Sequence, residues 1–536
     1  MTARQPNFLF FITDQHRADH LGCYGNPVLR TPHIDAIAQR GWRFDRFYVA
    51  SDLCQPNRAT IMTGRMPSLH GTRQNGIPIA LDAVCFPHLL RAAGYRTGLF
   101  GKAHFQNFTT VPAGYPLRFA DGKQPPPDEM REATRSLRIG PEYDRERLFE
   151  RSVDPTQDEQ LGAYYGFERF RVCTWHGDSV KGHYSHWLNE RLPDADKMRS
   201  AVNPQPAANY HAPQVRWSRI PEELYPTSYI ADQTIEYLQE RARDPSGAPF
   251  FVKCSFPDPH HPFTPPGRYF HMYSPADIRL PPSFYPRPHD QTPMLRQLHE
   301  ELAQGKAQRN SVAPFAVTEE EAREMIAVEY GMIAMIDDAI GRVMAQLRAL
   351  GLDDNTVVVF TSDHGDWMAD HGIMLKAPLH YQGLIRVPFL WSDPAAPQRG
   401  VNTTELASTL DIARSILMRA GIAPANGMQG QDLTPIIHEG HRSQHDCIIV
   451  EAQTWRPYQG MPDQVRVRTA CDGRWRMTLW EGMPFGELYD LEHDPGEIVN
   501  LWDDPALRDQ KATLMARMLW KMIDLQDRSP HQVGEA

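Results

Sequence analysis

The sequence predicts an α/β fold, in which a large and mostly parallel β-sheet is sandwiched by helices and followed by a small antiparallel sheet. Over the first 440 residues, short apolar runs alternate with segments of helical periodicity. This order is typical of parallel strands and their connecting helices. Strands of this kind are covered on both faces. Beyond residue 440 the pattern changes to short strands with tight connections.

The elements of the large sheet follow in chain order. Strands are expected at residues 7–13, 96–100, 250–256, 357–361 and 387–391, and helices at 32–41, 86–93 and 229–243. The most clearly delimited helix follows Thr318, which forms a capping-box pattern with Glu321. Its apolar stripe ends at Gly351, a residue type common just beyond helix ends.

The C-terminal part is predicted to be a separate α+β unit. Its elements are strands at 448–452, 464–470, 474–479 and 487–491, and a helix at 505–525. Asp472-Gly473 is a two-residue hairpin pattern between two of these strands. A chain of 536 residues suits one large and one smaller domain. We therefore expect an α/β domain over 1–440, with an insertion over the sheet at about 111–227, and a subdomain over 441–536.

Composition excludes several classes of protein. With 56 basic and 66 acidic residues the net charge is −10, whereas nucleic-acid-binding proteins usually show a basic face. The apolar run at 8–12 is far shorter than the roughly 20 residues of a membrane span, and too short for a signal peptide. Seven scattered cysteines without a CxxC pair argue against a disulfide framework or structural zinc. We expect a soluble, cytoplasmic protein that binds neither membranes nor nucleic acids.

Polar side chains follow four of the predicted strands. They are Asp14-Gln15, then Lys102 with His104, then His260, and finally Asp363-His364. In open α/β sheets, ligands bind beyond the carboxyl ends of the strands. The sequence therefore predicts an active site at this edge of the sheet.

Three of these residues offer oxygen ligands for a cation. The carboxylates of Asp14 and Asp363 and the amide oxygen of Gln15 suit Ca²⁺, Mg²⁺ or Mn²⁺. His364 is expected either to be a fourth ligand or to orient Asp363.

The segment from Cys54 to Arg58 is the most specific one. Pro56 is placed to start a helix and Gly64 to end it, which puts Cys54 at a helix N-terminus. Backbone amides and the helix dipole favour negative charge there. Taken alone, Cys54 is either a thiol of low pKa or a small buried residue.

Cys54-Gln55-Pro56-Asn57-Arg58 resembles the Cys-x-Pro-x-Arg motif of the type I sulfatases, which belong to the alkaline phosphatase superfamily. The resemblance covers nearly the whole chain except 111–227 and the loop around 270–315. Further segments resemble sulfatase segments in the same order: Asp14-Gln15, Thr63-Gly64-Arg65, Gly101-Lys102-Ala103-His104, Pro259-His260-His261-Pro262, Thr361-Ser362-Asp363-His364-Gly365-Asp366, Ile385-Arg386-Val387-Pro388, Glu487-Leu488-Tyr489-Asp490-Leu491, Asp494-Pro495-Gly496-Glu497 and Asn500-Leu501. It implies an alkaline phosphatase-like fold and hydrolysis of sulfate monoesters, in the branch of arylsulfatases and phosphonate monoester hydrolases.

The resemblance also implies the covalent chemistry and the metal ligands. A formylglycine-generating enzyme would oxidise Cys54 to formylglycine, whose gem-diol is the nucleophile, with Arg58 as its support. One divalent metal would be held by Asp14, Gln15, Cys54, Asp363 and His364. Many sulfatases have a second aspartate in place of Gln15, and asparagine in place of His364. Calcium is the expected ion. The two differences remove one carboxylate and add an imidazole, which lowers the negative charge of the site and leaves manganese as the alternative.

The remaining implied roles concern a small anionic ester as substrate. Lys102 and Lys376 would clamp the sulfuryl oxygens, and His260 would protonate the leaving oxygen. His104 would contact the gem-diol and act as the base when the covalent intermediate collapses. Asn75 resembles an asparagine that contacts substrate in phosphonate monoester hydrolases.

Three alternatives stay open from the sequence. The first is a phosphonate monoester or phosphodiester hydrolase with the same nucleophile. We expect these to be weaker side activities, because Lys102 and His104 match the Lys-x-His of sulfatases. The second is a metal-dependent phosphatase or phosphomutase, which would need serine or threonine at position 54. The third is a catalytically silent anion-binding protein, which is expected to lack some of the clustered ligands. We also expect a homo-oligomer.

Overall fold

A computed structural model describes residues 5–109, 122, 138, 140–207, 210–287, 291–454, 461–462 and 464–527. The strands are β1 (Asn7–Asp14), β2 (Trp42–Phe44), β3 (Phe47–Tyr48), β4 (Arg96–Lys102), β5 (Arg169–Thr174), β6 (Lys181–Gly182), β7 (Phe250–Pro259), β8 (Phe315–Ala316), β9 (Thr356–Ser362), β10 (Ile373–Met374), β11 (Phe389–Ser392), β12 (Val401–Thr403), β13 (Ala407–Ser408), β14 (Ile448–Gln453), β15 (Arg466–Cys471), β16 (Trp475–Trp480) and β17 (Gly486–Asp490). The helices are α1 (Pro32–Arg40), α2 (Cys54–Thr63), α3 (Pro67–His70), α4 (Phe86–Ala92), α5 (Arg145–Leu148), α6 (Pro155–Gln160), α7 (His183–Arg191), α8 (Ala195–Met198), α9 (Pro226–Arg243), α10 (Pro293–Ala303), α11 (Glu319–Ala349), α12 (Gln382–Ile385), α13 (Ile412–Arg419), α14 (Thr434–Glu439) and α15 (Arg508–Asp524).

The large sheet has nine strands in the order β12-β2-β11-β9-β1-β7-β4-β5-β6. Its centre, from β9 through β1, β7 and β4 to β5, is parallel throughout. Only β11, which pairs with both β9 and β2, and β6, at the far edge, run antiparallel to their neighbours. The predicted mostly parallel α/β sheet is confirmed.

The central strand β1 shows why this sheet is buried on both faces. Side chains alternate between the two faces of a strand. Phe8 and Phe10 accordingly pack into one apolar cluster. Leu9 and Phe11 pack into the cluster on the other face. A strand of uninterrupted apolar residues can therefore be buried only if helices cover both faces of the sheet.

Helix α11 is the longest of the covering helices, and its start is the predicted capping box. The Thr318 hydroxyl accepts from the Glu321 backbone N–H at 3.3 Å, and the Glu321 carboxylate accepts from the Thr318 N–H at 2.9 Å. The helix ends just before Gly351, whose φ is 64°. The helix supplies many residues of the cluster that covers one face of the sheet.

Part of the predicted insertion at 111–227 is built into the sheet. β5 pairs in parallel with β4, and β6 continues the sheet as its edge strand. The sequence pattern concealed β5 because Arg169 and Arg171 interrupt its apolar run; both arginines pair with Glu159. Residues 111–121, 123–137, 139 and 208–209 of this range lie outside the described residues.

The C-terminal sheet is an antiparallel meander in the order β14-β15-β16-β17, as predicted. Its register pairs Cys471 with Arg476, so the turn of the β15–β16 hairpin falls on Gly473 and Arg474. The predicted turn at Asp472-Gly473 is one residue too early. The reason is that Gly473, with φ 94°, takes the first turn position, while the Asp472 carboxylate accepts from the N–H groups of Arg474 and Trp475.

A buried ion network joins this small sheet to helix α12. The Arg476 guanidinium, fully buried, donates to Glu487 at 2.8 Å and also pairs with Glu497. The second oxygen of Glu497 accepts from the backbone N–H of Gln382 at 2.6 Å. Gln382 begins α12, six residues after Lys376.

Within the ranges given above, no helix combines the length and the apolar character needed to cross a bilayer.

Candidate active site

The predicted site residues lie at the carboxyl ends of four neighbouring strands. β9, β1, β7 and β4 are adjacent in the sheet, and Asp14 and Lys102 are the last residues of β1 and β4. His260 follows β7 directly, and Asp363 follows β9. Parallel strands end at the same edge of a sheet, so the topology brings these side chains together, where the rule for open α/β sheets places ligands.

Asp14, Cys54, Asp363 and His364 form a buried group of possible metal ligands. Their ligand atoms all lie within 4.8 Å of one another. His364 Nδ1 lies 2.7 Å from the Gly365 carbonyl oxygen, which can only accept, so this nitrogen carries the proton. Nε2 then has its lone pair free to ligate. Two carboxylates, an imidazole and the atom at position 54 fit one divalent cation.

Arg58 holds the two carboxylates in place. Its Nε donates to Asp363 at 2.7 Å and an Nη donates to Asp14 at 3.2 Å, and all three side chains are fully buried. The other Nη donates to the Lys102 carbonyl oxygen at 2.9 Å. Arg58 therefore offsets part of the repulsion between the carboxylates and ties α2 to the ends of β1, β4 and β9.

Gln15 lies beside the group in a left-handed backbone conformation, with φ 62°. Its backbone N–H donates to Asp363 at 3.1 Å. Its side-chain oxygen accepts from Lys376 Nζ at 2.8 Å, and its Nε2 donates to Asp366 and lies 3.1 Å from His261 Nδ1. The amide oxygen proposed as a ligand thus faces Lys376 in this structure.

Cys54 is the first residue of α2, as the sequence predicted, and Gly64 ends the helix with φ 63°. The Cys54 thiol lies 3.0 Å from His364 Nε2 and 3.1 Å from Lys376 Nζ. Burial and Asp14 raise the pKa of this thiol, but Lys376, Lys102 and His364 outweigh them and hold the pKa below its usual value. The site therefore favours negative charge at position 54.

Lys376 connects Cys54 with two histidines, His260 and His364. Lys376 Nζ lies 3.0 Å from His260 Nε2 and 3.1 Å from His364 Nε2. His260 Nδ1 lies against the His261 carbonyl oxygen, which leaves Nε2 as the atom facing the cluster. Asn75 is at the rim: its side-chain oxygen accepts from the Gln55 N–H at 3.1 Å, one residue beyond Cys54.

Lys102 ends β4, and His104 lies on the loop that follows. Lys102 Nζ donates to Asp14, so it faces the metal-ligand group. Burial and then the Lys102 charge hold the pKa of His104 well below its usual value, which favours the neutral imidazole. The His104 ring packs on Phe108 with centroids 4.5 Å apart, and among the described residues its buried Nδ1 has no hydrogen-bond partner.

Glu146 fixes this loop, and the sequence analysis missed it. Its carboxylate is fully buried and accepts from the backbone N–H groups of His104, Phe105 and Gln106. Tyr164 donates to the same carboxylate at 2.7 Å. Burial raises the pKa of Glu146. Nothing in the sequence near Glu146 indicated this role, because the contact joins residues about 40 positions apart.

His176 is the second residue that the sequence analysis missed. Its Nε2 lies 2.6 Å from Lys102 Nζ, and its ring stacks on His260 with centroids 3.5 Å apart and planes 9° apart. The residue is half-buried and Phe108 packs edge-on against it. It follows β5, so its position comes from the fifth parallel strand, which the sequence pattern concealed.

Comparisons with known proteins agree with this geometry. The family model described as Sulfatase matches residues 6–422, and the model described as N-sulphoglucosamine sulphohydrolase, C-terminal, matches residues 369–525. An arylsulfatase of Clostridium perfringens is 29% identical over 503 residues, covering 93% of this chain and 90% of that protein. A ulvan-active sulfatase of Formosa agariphila is 25% identical, covering 98% of this chain and 82% of that protein.

Among solved structures, a phosphonate monoester hydrolase of Agrobacterium radiobacter superposes with a TM-score of 0.76. The match covers 98% of this chain and 97% of that one at 24% identity, which shows a shared fold. The family model spans most of the chain and includes every predicted site residue. The chain therefore belongs to the sulfatase family, whose members are hydrolases of sulfuric esters.

Proposed function

We propose that this sulfatase hydrolyses aryl sulfate monoesters at the cluster around Cys54. The observation that carries the proposal is the position of Cys54 at a helix N-terminus, in contact with both His364 and Lys376. A nucleophile at this position contacts a metal-ligand residue and a cationic side chain at once, because Cys54 Sγ lies 3.0 Å from His364 Nε2 and 3.1 Å from Lys376 Nζ. The similarity to an arylsulfatase supports the aryl leaving group.

The charge of the cluster suits a small anionic ester. Arg58, Lys102 and Lys376 contribute three positive charges and Asp14 and Asp363 two negative ones, which leaves +1. A divalent cation in the same group raises this balance to +3. Fixed positive charge in a buried site stabilises the negative charge that develops on the ester oxygens, usually the largest catalytic contribution.

Each of the surrounding side chains has a definite task in this proposal. Lys102 and Lys376 bind the sulfuryl oxygens. His260 protonates the leaving oxygen through Nε2. Its Nδ1 donates to the His261 carbonyl oxygen, so the proton reaches Nε2 from Lys376 Nζ, which lies 3.0 Å away. His104, held neutral by burial and by Lys102, accepts a proton when the enzyme is regenerated. Asn75 contacts the substrate at the rim.

A divalent cation and a formylglycine at position 54 would complete the site. Asp14, Asp363, His364 and the position-54 side chain would hold the cation, with Gln15 beside them; Ca²⁺ is the expected ion and Mn²⁺ the alternative. The ion would supply Lewis-acid stabilisation of the ester oxygens. A formylglycine made from Cys54 by a formylglycine-generating enzyme would supply the nucleophilic oxygen. Catalysis is assigned to residues 1–440, and residues 441–536 form the smaller subdomain.

We expect sulfate monoesters to be hydrolysed faster than phosphonate monoesters. Both esters carry one negative charge, so the expected preference rests on Lys102 and His104, which match the Lys-x-His pair of the sulfatases. The metal and the lysines recognise charge rather than the central atom, so weak phosphonate and phosphodiester hydrolysis should accompany the main activity. The measurement is the ratio of kcat/KM for 4-nitrophenyl sulfate and 4-nitrophenyl phenylphosphonate. A tenfold preference for the phosphonate, about 1.4 kcal/mol in transition-state binding, would assign the protein to the phosphonate hydrolases.

We expect His176→Ala to slow the hydrolysis of esters with poor leaving groups more than that of esters with good ones. His176 supports the His260 ring and contacts Lys102, so its loss should impair protonation of the leaving oxygen. Protonation contributes most when the leaving group is basic. The expected loss in kcat is at least about tenfold for phenyl sulfate and much smaller for 4-nitrophenyl sulfate.

His186→Ala is the matched control, since His186 lies on α7 and pairs with Glu190 there. It should leave both rates unchanged. An equal loss on the two substrates by the His176 variant would show that His176 only maintains the loop and plays no part at the leaving group.

A further inference from the structure

Two aromatic side chains, Phe108 and Trp175, lie beside the reactive cluster and have no part in the chemistry proposed above. Phe108 is on the loop after β4, and Trp175 is the first residue after β5. Their rings pack edge to face with centroids 5.8 Å apart. The Phe108 centroid also lies 4.5 Å from that of His104, 6.4 Å from that of His176 and 5.9 Å from Lys102 Nζ. The pair therefore adjoins the side chains that act on the ester.

The pair lies on the side of the cluster where the leaving group departs. His260 protonates the leaving oxygen in the proposed function, so the organic group of the ester lies beside His260. His176 stacks on the His260 ring at 3.5 Å between centroids, and Phe108 packs edge-on against His176. His260 is 3% exposed and Phe108 8%, whereas His176 and Trp175 are partly exposed. The cluster thus opens to solvent past Trp175.

Trp175 is held in a backbone conformation that is rare for a bulky residue, with φ 65°. The segment that follows is fixed, because the Asp178 N–H donates to the Thr264 hydroxyl at 2.8 Å. The buried Asp178 carboxylate in turn accepts from the Ser200 N–H at 2.6 Å and the Ser218 hydroxyl at 2.8 Å. Such a conformation persists only where the surroundings impose it, and it clusters at ligand-binding sites.

We propose that Trp175 and Phe108 form the surface that binds the aromatic ring of the substrate, and that this surface selects aryl sulfates over carbohydrate sulfates. The assignment rests on the proposed function, since the role of His260 places the organic group here. Aromatic rings pack favourably edge to face or offset-stacked. A planar aryl group can therefore add a third ring to the two that already pack together.

A sugar ring suits this surface less well. Its hydroxyl groups lose water on binding, and each then needs a hydrogen-bond partner. The side chain next to Phe108 is Asn107, whose Oδ1 already accepts from the N–H and the hydroxyl of Thr109 at 3.1 and 2.9 Å. His176 Nε2 is engaged with Lys102. On this side, the described residues thus present aromatic faces to the organic group.

Binding of two sulfonates to the metal-loaded enzyme tests the surface without turnover. Naphthalene-2-sulfonate and methanesulfonate share the anionic head group, and the first alone has an aromatic ring. Trp175→Gly removes the indole and tolerates the positive φ, so this variant should fold. By calorimetry, we expect its Kd for naphthalene-2-sulfonate to rise at least about tenfold and its Kd for methanesulfonate to change less than about twofold.

Two further variants separate the ring from other effects of the substitution. Trp175→Phe restores an aromatic face and should recover most of the affinity for naphthalene-2-sulfonate. Trp520→Ala is the matched control, because it removes an indole that is 70% exposed on α15. This control should change neither dissociation constant.

Turnover gives a second measurement. Trp175→Gly should raise KM for 4-nitrophenyl sulfate and leave kcat nearly unchanged, because the ring contact is made equally in the ground state and the transition state. A loss in kcat that is larger for phenyl sulfate than for 4-nitrophenyl sulfate would instead match the pattern expected of His176→Ala. It would show that Trp175 acts through His176, and it would overturn the proposal.

The remaining outcomes separate this proposal from the proposed function. If the wild type hydrolyses 4-nitrophenyl sulfate but Trp175→Gly binds naphthalene-2-sulfonate as tightly as the wild type, the aromatic surface is wrong and the aryl sulfatase activity stands. If the wild type hydrolyses no aryl sulfate but Trp175→Gly loses affinity for naphthalene-2-sulfonate, the activity is wrong and the aromatic surface stands. A higher kcat/KM for glucose 6-sulfate than for 4-nitrophenyl sulfate would overturn the selection of aryl groups.

Discussion

Replacing Cys54 with alanine should abolish turnover and leave the fold intact. Loss of a catalytic nucleophile typically lowers kcat by about 10⁴–10⁶-fold, and what remains reflects binding and electrostatic stabilisation alone. The thiol contacts Lys376 and His364 rather than the apolar core between helices and sheet, so its removal costs little packing. Activity on 4-nitrophenyl sulfate and thermal unfolding of the same preparation give both quantities.

Peptide mass spectrometry on the active wild type decides the chemistry at position 54. We expect the peptide to carry an aldehyde when the protein is produced with a formylglycine-generating enzyme. Cys23→Ala is the matched control: Cys23 is half-buried and lies outside the cluster, so this variant should keep full activity. A fully active wild type in which position 54 is entirely thiol would contradict the formylglycine mechanism.

The second large effect is expected at Asp363. Asp363→Ala should remove the bound cation and lower kcat/KM by at least about 10³-fold, because a metal contributes several kcal/mol to stabilising the transition state. The change also leaves the buried Arg58 guanidinium without one of its two carboxylates. Removing one partner of a buried ion pair typically destabilises a protein by about 3–5 kcal/mol.

Asp363→Asn separates these two effects. The amide oxygen keeps the shape and can still accept from the Gln15 N–H, so this variant should be more stable than the alanine variant. The Asp363→Asn variant should nevertheless lose most of the metal, since the amide lacks the negative charge of the carboxylate. Elemental analysis counts the metal, and thermal unfolding with and without EDTA measures its contribution to stability.

Asp337→Asn is the control for this series. Asp337 is a buried carboxylate that accepts from the backbone N–H groups of His33 and Ile34 at the start of α1, and an amide oxygen can accept the same bonds. It should keep the metal and the activity. An active wild type without stoichiometric metal, or an Asp363→Asn variant with unchanged metal content, would show that Asp363 is not a ligand.

The sequence predicted the parts of the site that depend on strand ends. Asp14, Lys102, His260 and Asp363 each follow an apolar run, and parallel strands that end at one edge must bring such residues together. Cys54 was placed correctly for a local reason, because Gly64 limits the helix that it begins. These predictions needed only the neighbouring residues and the rule for parallel sheets.

The parts that escaped prediction depend on contacts between distant segments. Glu146 and His176 lie in a range of weak periodicity, where β5 is concealed by Arg169 and Arg171. Glu146 binds the loop of His104 through backbone N–H groups, which any sequence would present equally well. No local pattern encodes such a contact, so only the three-dimensional structure shows it.

The buried Arg476 network has a consequence for exchanging parts between relatives. Glu497 accepts hydrogen bonds from the backbone of α12 and from Arg476, so this one carboxylate connects the small sheet with the segment that follows Lys376. A chimaera that takes only residues 441–536 from a relative would keep Arg476, Glu487 and Glu497 together, but Glu497 would then meet the α12 backbone of a different parent. A chimaera should therefore be joined before Lys376, so that Lys376, α12, Arg476, Glu487 and Glu497 all come from the same parent protein.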